Sequence, residues 1–231
     1  MEYRIEEIQS IIGYSFNCVE LLYKAMTHSS YVNDHKIDKN NCNERLEFLG
    51  DAVLELLSSE YLYDNYPDKS EGELTKLRAS LVSEFPLANV ARDIGLGEYI
   101  LLSKGEENTG GRERDSIISD AVEALLGAIY LDGGMEPARD FVYRYVVNDI
   151  EKKHLFNDSK TVLQEIVQKY KLGILSYNLV RDDGPDHMKE YEVNCMLDNK
   201  VVGNGVGKTK KNAQQKAAFD AINKLKKSKL K

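Results

Sequence analysis

Glu44, Glu47 and Asp51 recur three and then four residues apart in the stretch Asn43-Glu44-Arg45-Leu46-Glu47-Phe48-Leu49-Gly50-Asp51-Ala52-Val53-Leu54. At about 100° per residue the three acids fall on one stripe of a helix. Leu46, Leu49 and Val53 recur on a neighbouring stripe, as the core-facing side of such a helix should. Three carboxylates stacked this closely repel one another unless a cation sits among them. Taken alone, the stretch leaves two readings open, a solvated acidic face or one half of a metal site. Gly50 adds a hint, because glycine inside a helix costs about 1 kcal/mol relative to alanine and so implies a close approach to the backbone.

A second stretch, Asp115 to Asp132, supplies the other half. It reads as a strongly apolar helix in which Ala124, Gly127 and Ala128 are small enough for close helix contact, yet Asp120 and Glu123 sit three apart within it. Buried carboxylates are costly unless paired or bound to a metal. If the two helices pack side by side, Glu47, Asp51, Asp120 and Glu123 converge. Oxygen ligands suit hard cations such as Mg²⁺ or Mn²⁺. Two such ions about 3.5–4 Å apart can activate a water and stabilise the leaving oxygen of an in-line displacement at phosphorus. No histidine, serine or cysteine constellation competes, and the absence of a Gly-x-x-x-x-Gly-Lys loop argues against nucleotide hydrolysis. The spacing points to metal-dependent phosphodiester hydrolysis.

The elements that must hold these acids read as helices. A short segment from Ile5 to Tyr14 ends at Gly13, and Asn17 is placed to cap an amphipathic helix from Val19 to Met26. His28 has no second histidine at metal-binding spacing and reads as a hydrogen-bonded structural residue. Asn33 to Asn43 reads as loop. The first acidic helix runs on to a stop near Pro67, Ser70-Glu71-Gly72-Glu73 starts another, and the helical pattern continues from Phe85 to Gly95. Ser103 to Arg112, glycine-rich and charged, reads as a flexible surface loop. Gly133-Gly134 ends the second acidic helix, and one amphipathic helix from about Pro137 to Lys153 closes an all-α domain.

The pattern then changes. A helix capped by Asp158 or Ser159 ends at Gly173, and strand-like runs follow at Ser176–Val180, Lys189–Leu197 and Lys200–Val206, with turns at Asp183-Gly184 and Asp198-Asn199. A basic helix from Lys208 to Leu225 ends the order α-β-β-β-α. The domain limits expected are 1–152, a joint over 153–158, and 159–228.

Charge follows the same division. The chain carries −7 overall, but residues 158–231 hold 15 Lys+Arg against 9 Asp+Glu, a surplus of six cations that leaves residues 1–157 at −13. The basic part is the candidate polyanion binder. Three widely spaced cysteines (Cys18, Cys42, Cys195) fit neither a disulfide framework nor a zinc site, and imply a reducing compartment. No apolar run approaches the roughly 20 residues needed to span a bilayer. The first residues lack the basic-then-apolar order of a signal peptide. A cytoplasmic protein is the expectation.

Asn43 to Leu54 resembles the signature of the ribonuclease III family, and Asp120 to Tyr130 resembles that family's second motif. The resemblance covers nearly the whole chain, with a double-stranded-RNA-binding domain after the nuclease domain as in bacterial members. It implies that Glu47, Asp120 and Glu123 hold Mg²⁺, for which Mn²⁺ can substitute. It also implies that Asp51 is catalytic together with Glu123, ordering the attacking water or a second ion. Glu44 matches an acidic position near the scissile strand and subunit contact, a supporting role. The implied fold is an all-α homodimer whose two sites lie across a valley that takes the duplex. Each site cuts one strand to leave 5′-phosphate and 3′-hydroxyl ends, in processing of ribosomal and other structured RNA precursors and in RNA decay. Phe48, Leu49 and the small residues of the second motif serve either the dimer contact or the core.

Double-stranded RNA is read by shape, through polar side chains in the minor grooves and cations on the phosphates between them. Thr161, Gln164, Glu165 and Gln168 share one helical face, Gly184-Pro185-Asp186-His187 forms a loop, and Lys208, Lys210 and Lys211 gather at the start of the last helix. All three regions resemble the contact regions of double-stranded-RNA-binding domains, with His187 as the loop's contact residue. Lys224, Lys226, Lys227, Lys229 and Lys231 read as a soluble tail. The alternative from another class is a non-catalytic double-stranded-RNA-binding protein whose acidic helices only mediate dimerisation.

Overall fold

The computed structural model describes residues 2–148, 150, 159–183, 189–207 and 209–228. The chain divides into two compact units, residues 1–150 and 151–231. Residues 151–158, which include the joint expected over 153–158, lie outside the described residues.

The first unit is helical, as expected. Its helices are α1 (Glu2–Ile12), α2 (Val19–Ala25), α3 (Ser29–Asp34), α4 (Glu44–Asn65), α5 (Glu71–Val82), α6 (Glu84–Asp93), α7 (Lys104–Asn108), α8 (Asp115–Gly133) and α9 (Met135–Phe141). The apolar character of α8 makes it the axis. Ala121, Ala124, Leu125, Leu126, Ala128 and Ile129 are at most 1% exposed, and α2, α4, α6 and α9 pack around it. Two glycines set the closest of these contacts. A Cβ built on Gly50 would lie 1.8 Å from the Glu123 carbonyl oxygen, and one on Gly127 would lie 2.3 Å from that of Leu46. The α4 and α8 backbones therefore touch where the acids sit.

Several local expectations are corrected. Asn17 does not cap α2. Its backbone and side-chain nitrogens donate instead to Asp132 at the end of α8, at 2.8 and 3.3 Å, alongside the Cys18 N–H (2.8 Å) and the Tyr14 hydroxyl (2.7 Å). The glycine-rich segment 103–112 is not a plain flexible loop. The Ser103 hydroxyl caps α7 by accepting the Glu106 N–H at 3.1 Å. Arg112 donates to the carbonyls of Gly97 (3.0 Å) and Ile100 (2.8 Å), and Arg114 pairs with Glu106. Composition hid these arginine anchors, whose partners lie 8 to 15 residues away at no regular helical spacing. Nor does one regular helix close the unit, because α9 passes into a π-helical turn over Val142–Val146. A shift to i→i+5 bonding rotates the face that follows it.

The second unit has the expected α-β-β-β-α order. Helix α10 (Ser159–Tyr170) precedes the antiparallel strands β1 (Leu175–Asp183), β2 (Glu190–Leu197) and β3 (Lys200–Gly207), and α11 (Lys210–Ser228) follows. Asp198 and Asn199 both take positive φ (46° and 65°), the two-residue turn that matches strand twist. Leu163 and Val167 of α10, Val193 and Cys195 of β2, and Ala213, Ala217 and Ala221 of α11 form a separate core.

Candidate metal centre

The α4–α8 contact carries three acids to one point. Glu47 projects from α4, and Asp120 and Glu123 project from the first half of α8. Each offers an oxygen within 4.8 Å of the others. All three are partly buried, and among the described residues none forms an ion pair with a lysine or arginine. Charge of one sign gathered in a semi-buried place raises every carboxyl it contains. Burial, and then the Asp51, Asp120 and Glu47 carboxylates, push Glu123 up to about 8. Burial and the charges of Asp120, Glu44 and Asp51 raise Glu47. Asp120 is raised by burial with help from Glu84, against smaller opposing effects of the Ser119 hydroxyl and His28.

Asp51 is placed differently. It is exposed, one turn along α4 from Glu47, and acts on Glu47 and Glu123 through its charge without joining the close trio. Glu44 is also exposed, in the first turn of α4, where the helix N-terminus favours a carboxylate. The trio is an oxygen-only donor set with unbalanced negative charge. That chemistry fits a hard divalent cation, which would replace the missing counter-charge.

Sequence spacing missed the surroundings of this trio, because they come from separate elements. His28 caps α3, its Nδ1 accepting the Ser30 N–H at 3.2 Å and lying 2.8 Å from the Ser30 hydroxyl. That hydroxyl also accepts the Ser103 N–H at 3.0 Å, which ties α3 to the capped start of α7. Burial lowers the His28 pKa despite the nearby carboxylates of Glu106, Asp120 and Glu44. Glu84, at the start of α6, is the other residue that no motif indicated.

The second unit presents its expected contact residues outward. Thr161, Gln164, Glu165 and Gln168 are exposed on α10, opposite the buried Leu163 and Val167. Lys210 and Lys211 are exposed in the first turn of α11, and the Lys210 ammonium lies 5.6 Å from the centre of the Tyr191 ring. His187, with the loop 184–187, and Lys208 lie outside the described residues. Of the lysines towards the C-terminus, Lys224 is paired with Asp220 at 2.6 Å.

Known proteins share both halves. Residues 19–150 match the Ribonuclease-III-like family and residues 159–225 match the Double-stranded RNA binding motif. Ribonuclease 3 of Bacillus licheniformis is 47% identical over 99% of this chain and 92% of its own length. Ribonuclease 3 of Clostridium perfringens is 47% identical over 95% of this chain and 93% of its own. Among solved structures, a nuclease domain of ribonuclease III from Campylobacter jejuni, described for flexibility in the region involved in dimer formation, matches with a TM-score of 0.58 and 46% identity. The match covers 64% of this chain and 97% of that one.

Proposed function

This chain belongs to the ribonuclease III family, and from that premise we propose how its residues cut double-stranded RNA. It is an endoribonuclease whose second unit is a double-stranded-RNA-binding domain. The observation that carries the site assignment is the convergence of Glu47, Asp120 and Glu123 at the α4–α8 contact, with Glu123 held largely protonated near neutral pH until a cation arrives.

In our reading Glu47, Asp120 and Glu123 hold Mg²⁺, with Mn²⁺ an acceptable substitute, and Asp51 is catalytic together with Glu123. The ion, when bound, lowers the pKa of a coordinated water and neutralises charge on the leaving oxygen. Glu123 gives up its proton as the site fills, so binding is coupled to proton release. Asp51, exposed and outside the trio, is free to orient the attacking water, and Glu44 borders the strand that is cut. The natural substrates in this reading are structured precursors, ribosomal RNA among them.

Thr161, Gln164, Glu165 and Gln168 face the duplex minor groove, with His187 from the neighbouring loop, and Lys208, Lys210 and Lys211 meet phosphates. Phe48 (82% exposed), Leu56 (57%) and Tyr63 (76%) follow one stripe of α4. An apolar stripe of this kind suits burial against a second copy, so the working form is a homodimer. No helix among the described residues is long and apolar enough to cross a membrane. Three unpaired cysteines fit a reducing compartment, and we place the protein in the cytoplasm.

Glu123→Ala tests the assignment. Cleavage of a long duplex in Mg²⁺ collapses, while duplex binding, measured in Ca²⁺, persists. Equal cleavage by both proteins would remove the trio from catalysis. It would also favour a purely RNA-binding role for the chain, a reading that leaves the raised Glu123 without a purpose.

A further inference from the structure

Beside the carboxylate trio stands a donor that nothing in the free protein uses. The hydrogen-bond network assigns the His28 tautomer. Nδ1 accepts the Ser30 backbone N–H at 3.2 Å, so it carries no proton, and the Ser30 hydroxyl oxygen lies 2.8 Å from the same nitrogen. The proton of the neutral ring is therefore on Nε2. Among the described residues, Nε2–H has no hydrogen-bond partner. The ring is half-buried, and its charged neighbours are Glu106, Asp120, Glu44 and Arg114. Its influence on Asp120 acts through space, without a hydrogen bond between them.

Solvent reaches this N–H in the free protein, and a ligand acceptor that displaces that water can take the hydrogen bond in its place. Waters held by a divalent cation turn their lone pairs to the ion and their hydrogens outward, so they cannot serve. Glu106, Asp120 and Glu44 act on the ring through their charge alone, without a hydrogen bond to it. The acceptor that arrives at such a site with the substrate is an RNA phosphate oxygen.

We propose that His28 is an RNA-contacting residue of the cleavage site, its Nε2–H donating to a phosphate oxygen of the strand seated against Glu47, Asp120 and Glu123. The inference rests on the reading of that trio as the cleavage centre. Its cap on α3 fixes the ring, and α3 is held in turn through the Ser30 hydroxyl to Ser103. The donor is thus set in place before substrate binds. A neutral donor also suits a place crowded with carboxylates, because it leaves the negative charge that attracts the metal intact.

Two substitutions separate this role from capping. His28→Asn keeps an acceptor for the Ser30 N–H, asparagine being a favoured cap, but loses the distal donor. His28→Gln places an amide N–H near the position of Nε2. Full-length wild type, both variants and Glu123→Ala are compared on one hairpin duplex under single-turnover conditions across a range of Mg²⁺ concentrations, with thermal melts alongside. The expected result is a His28→Asn protein that melts like wild type and keeps the wild-type Mg²⁺ half-saturation. Its cleavage falls about tenfold to a hundredfold, the size of one hydrogen bond to a charged group. His28→Gln recovers most of the loss. Wild-type cleavage by His28→Asn overturns the proposal. So does a loss that excess Mg²⁺ abolishes, or an equal loss in both variants that follows a fall in melting temperature. Cleavage by Glu123→Ala at the wild-type rate would instead overturn the cleavage-centre reading itself, a separate failure.

Discussion

Replacing Gly50 by alanine adds one methyl group at the point where α4 and α8 touch. Its Cβ would lie 1.8 Å from the Glu123 carbonyl oxygen, 2.6 Å from the carbonyl carbon and 3.0 Å from the Gly127 nitrogen. All three neighbours are backbone, so no side chain can swing aside. To bring the first distance up to 3.0 Å the helices must part by more than an ångström. Overpacking of this kind costs about 1–3 kcal/mol or more, while alanine returns about 1 kcal/mol of helix propensity. A net loss of about 2 kcal/mol lowers the melting temperature by about 4–8 °C at this chain length. Activity suffers more. Glu47 moves with α4, and Asp120 and Glu123 move with α8, whereas metal-ligand distances tolerate only about 0.2 Å. Misplacement by about 1 Å costs on the order of a hundredfold in rate. The assay pairs a circular-dichroism melt with single-turnover cleavage in Mg²⁺ and duplex binding in Ca²⁺. Binding by the second unit should be retained. A Gly50→Ala protein that melts at or above wild type and cleaves within threefold of it would refute the claim that backbone contact sets the site.

Further tests address charge and surfaces. Glu123 titrates near 8 in the folded, metal-free chain against an ordinary 4.5, so the folded state holds the extra proton in between. Stability therefore falls as pH rises from about 4.5 to about 8, and metal-free Glu123→Gln should melt above wild type at pH 8, with the gap closing towards pH 5. Melts that differ equally at both pH values would contradict this sign. Metal affinity measured by calorimetry should rise with pH up to about 8 with release of a proton, and a pH-independent affinity would count against Glu123 as a ligand. Lys210→Ala combined with Lys211→Ala should weaken duplex binding and lower the slope of log affinity against log salt by roughly 1–2. An unchanged slope removes these lysines from the phosphates. Phe48→Glu should shift sedimentation from dimer to monomer, and a variant that remains dimeric would exclude the α4 stripe as the interface.

The residues most legible in the sequence were those whose meaning is periodic. Helical spacing placed Glu47 beside the core face of α4, and the polarity of Asp120 and Glu123 within an apolar run marked them as partners. Gly50 was legible as a close approach, though not what approached it, because Gly127 lies on another helix. Asp51 shares the acidic stripe with Glu47, but spacing could not separate a ligand close to the trio from an exposed neighbour a turn further on. The arginine anchors that order segment 103–112 reach 8 to 15 residues along the chain, and the line from His28 through Ser30 to Ser103 joins elements more than seventy residues apart. No local pattern encodes such pairings. In the second unit, alternation located the strands, and Asp198-Asn199 identified its turn by chemistry that tolerates positive φ.

The acids of α8 divide by what neutralises them. Asp132, at the far end of the helix from Asp120 and Glu123, has its carboxylate filled by the Tyr14 hydroxyl and the N–H groups of Asn17 and Cys18. Burial pushes its pKa up, but these donors outweigh burial and hold it below the usual range. Its contribution to stability is present at neutral pH and fades as the solution is acidified. Charge removal on a single helix thus has two opposite signatures. On the proposed assignment, neutralising Glu123 should relax the metal-free protein and abolish cutting, whereas Asp132→Asn should loosen the tie between α8 and the turn before α2, a defect that added metal would not address directly. In a scan of inactive variants, thermal stability alone would separate an emptied ligand from a broken fastening.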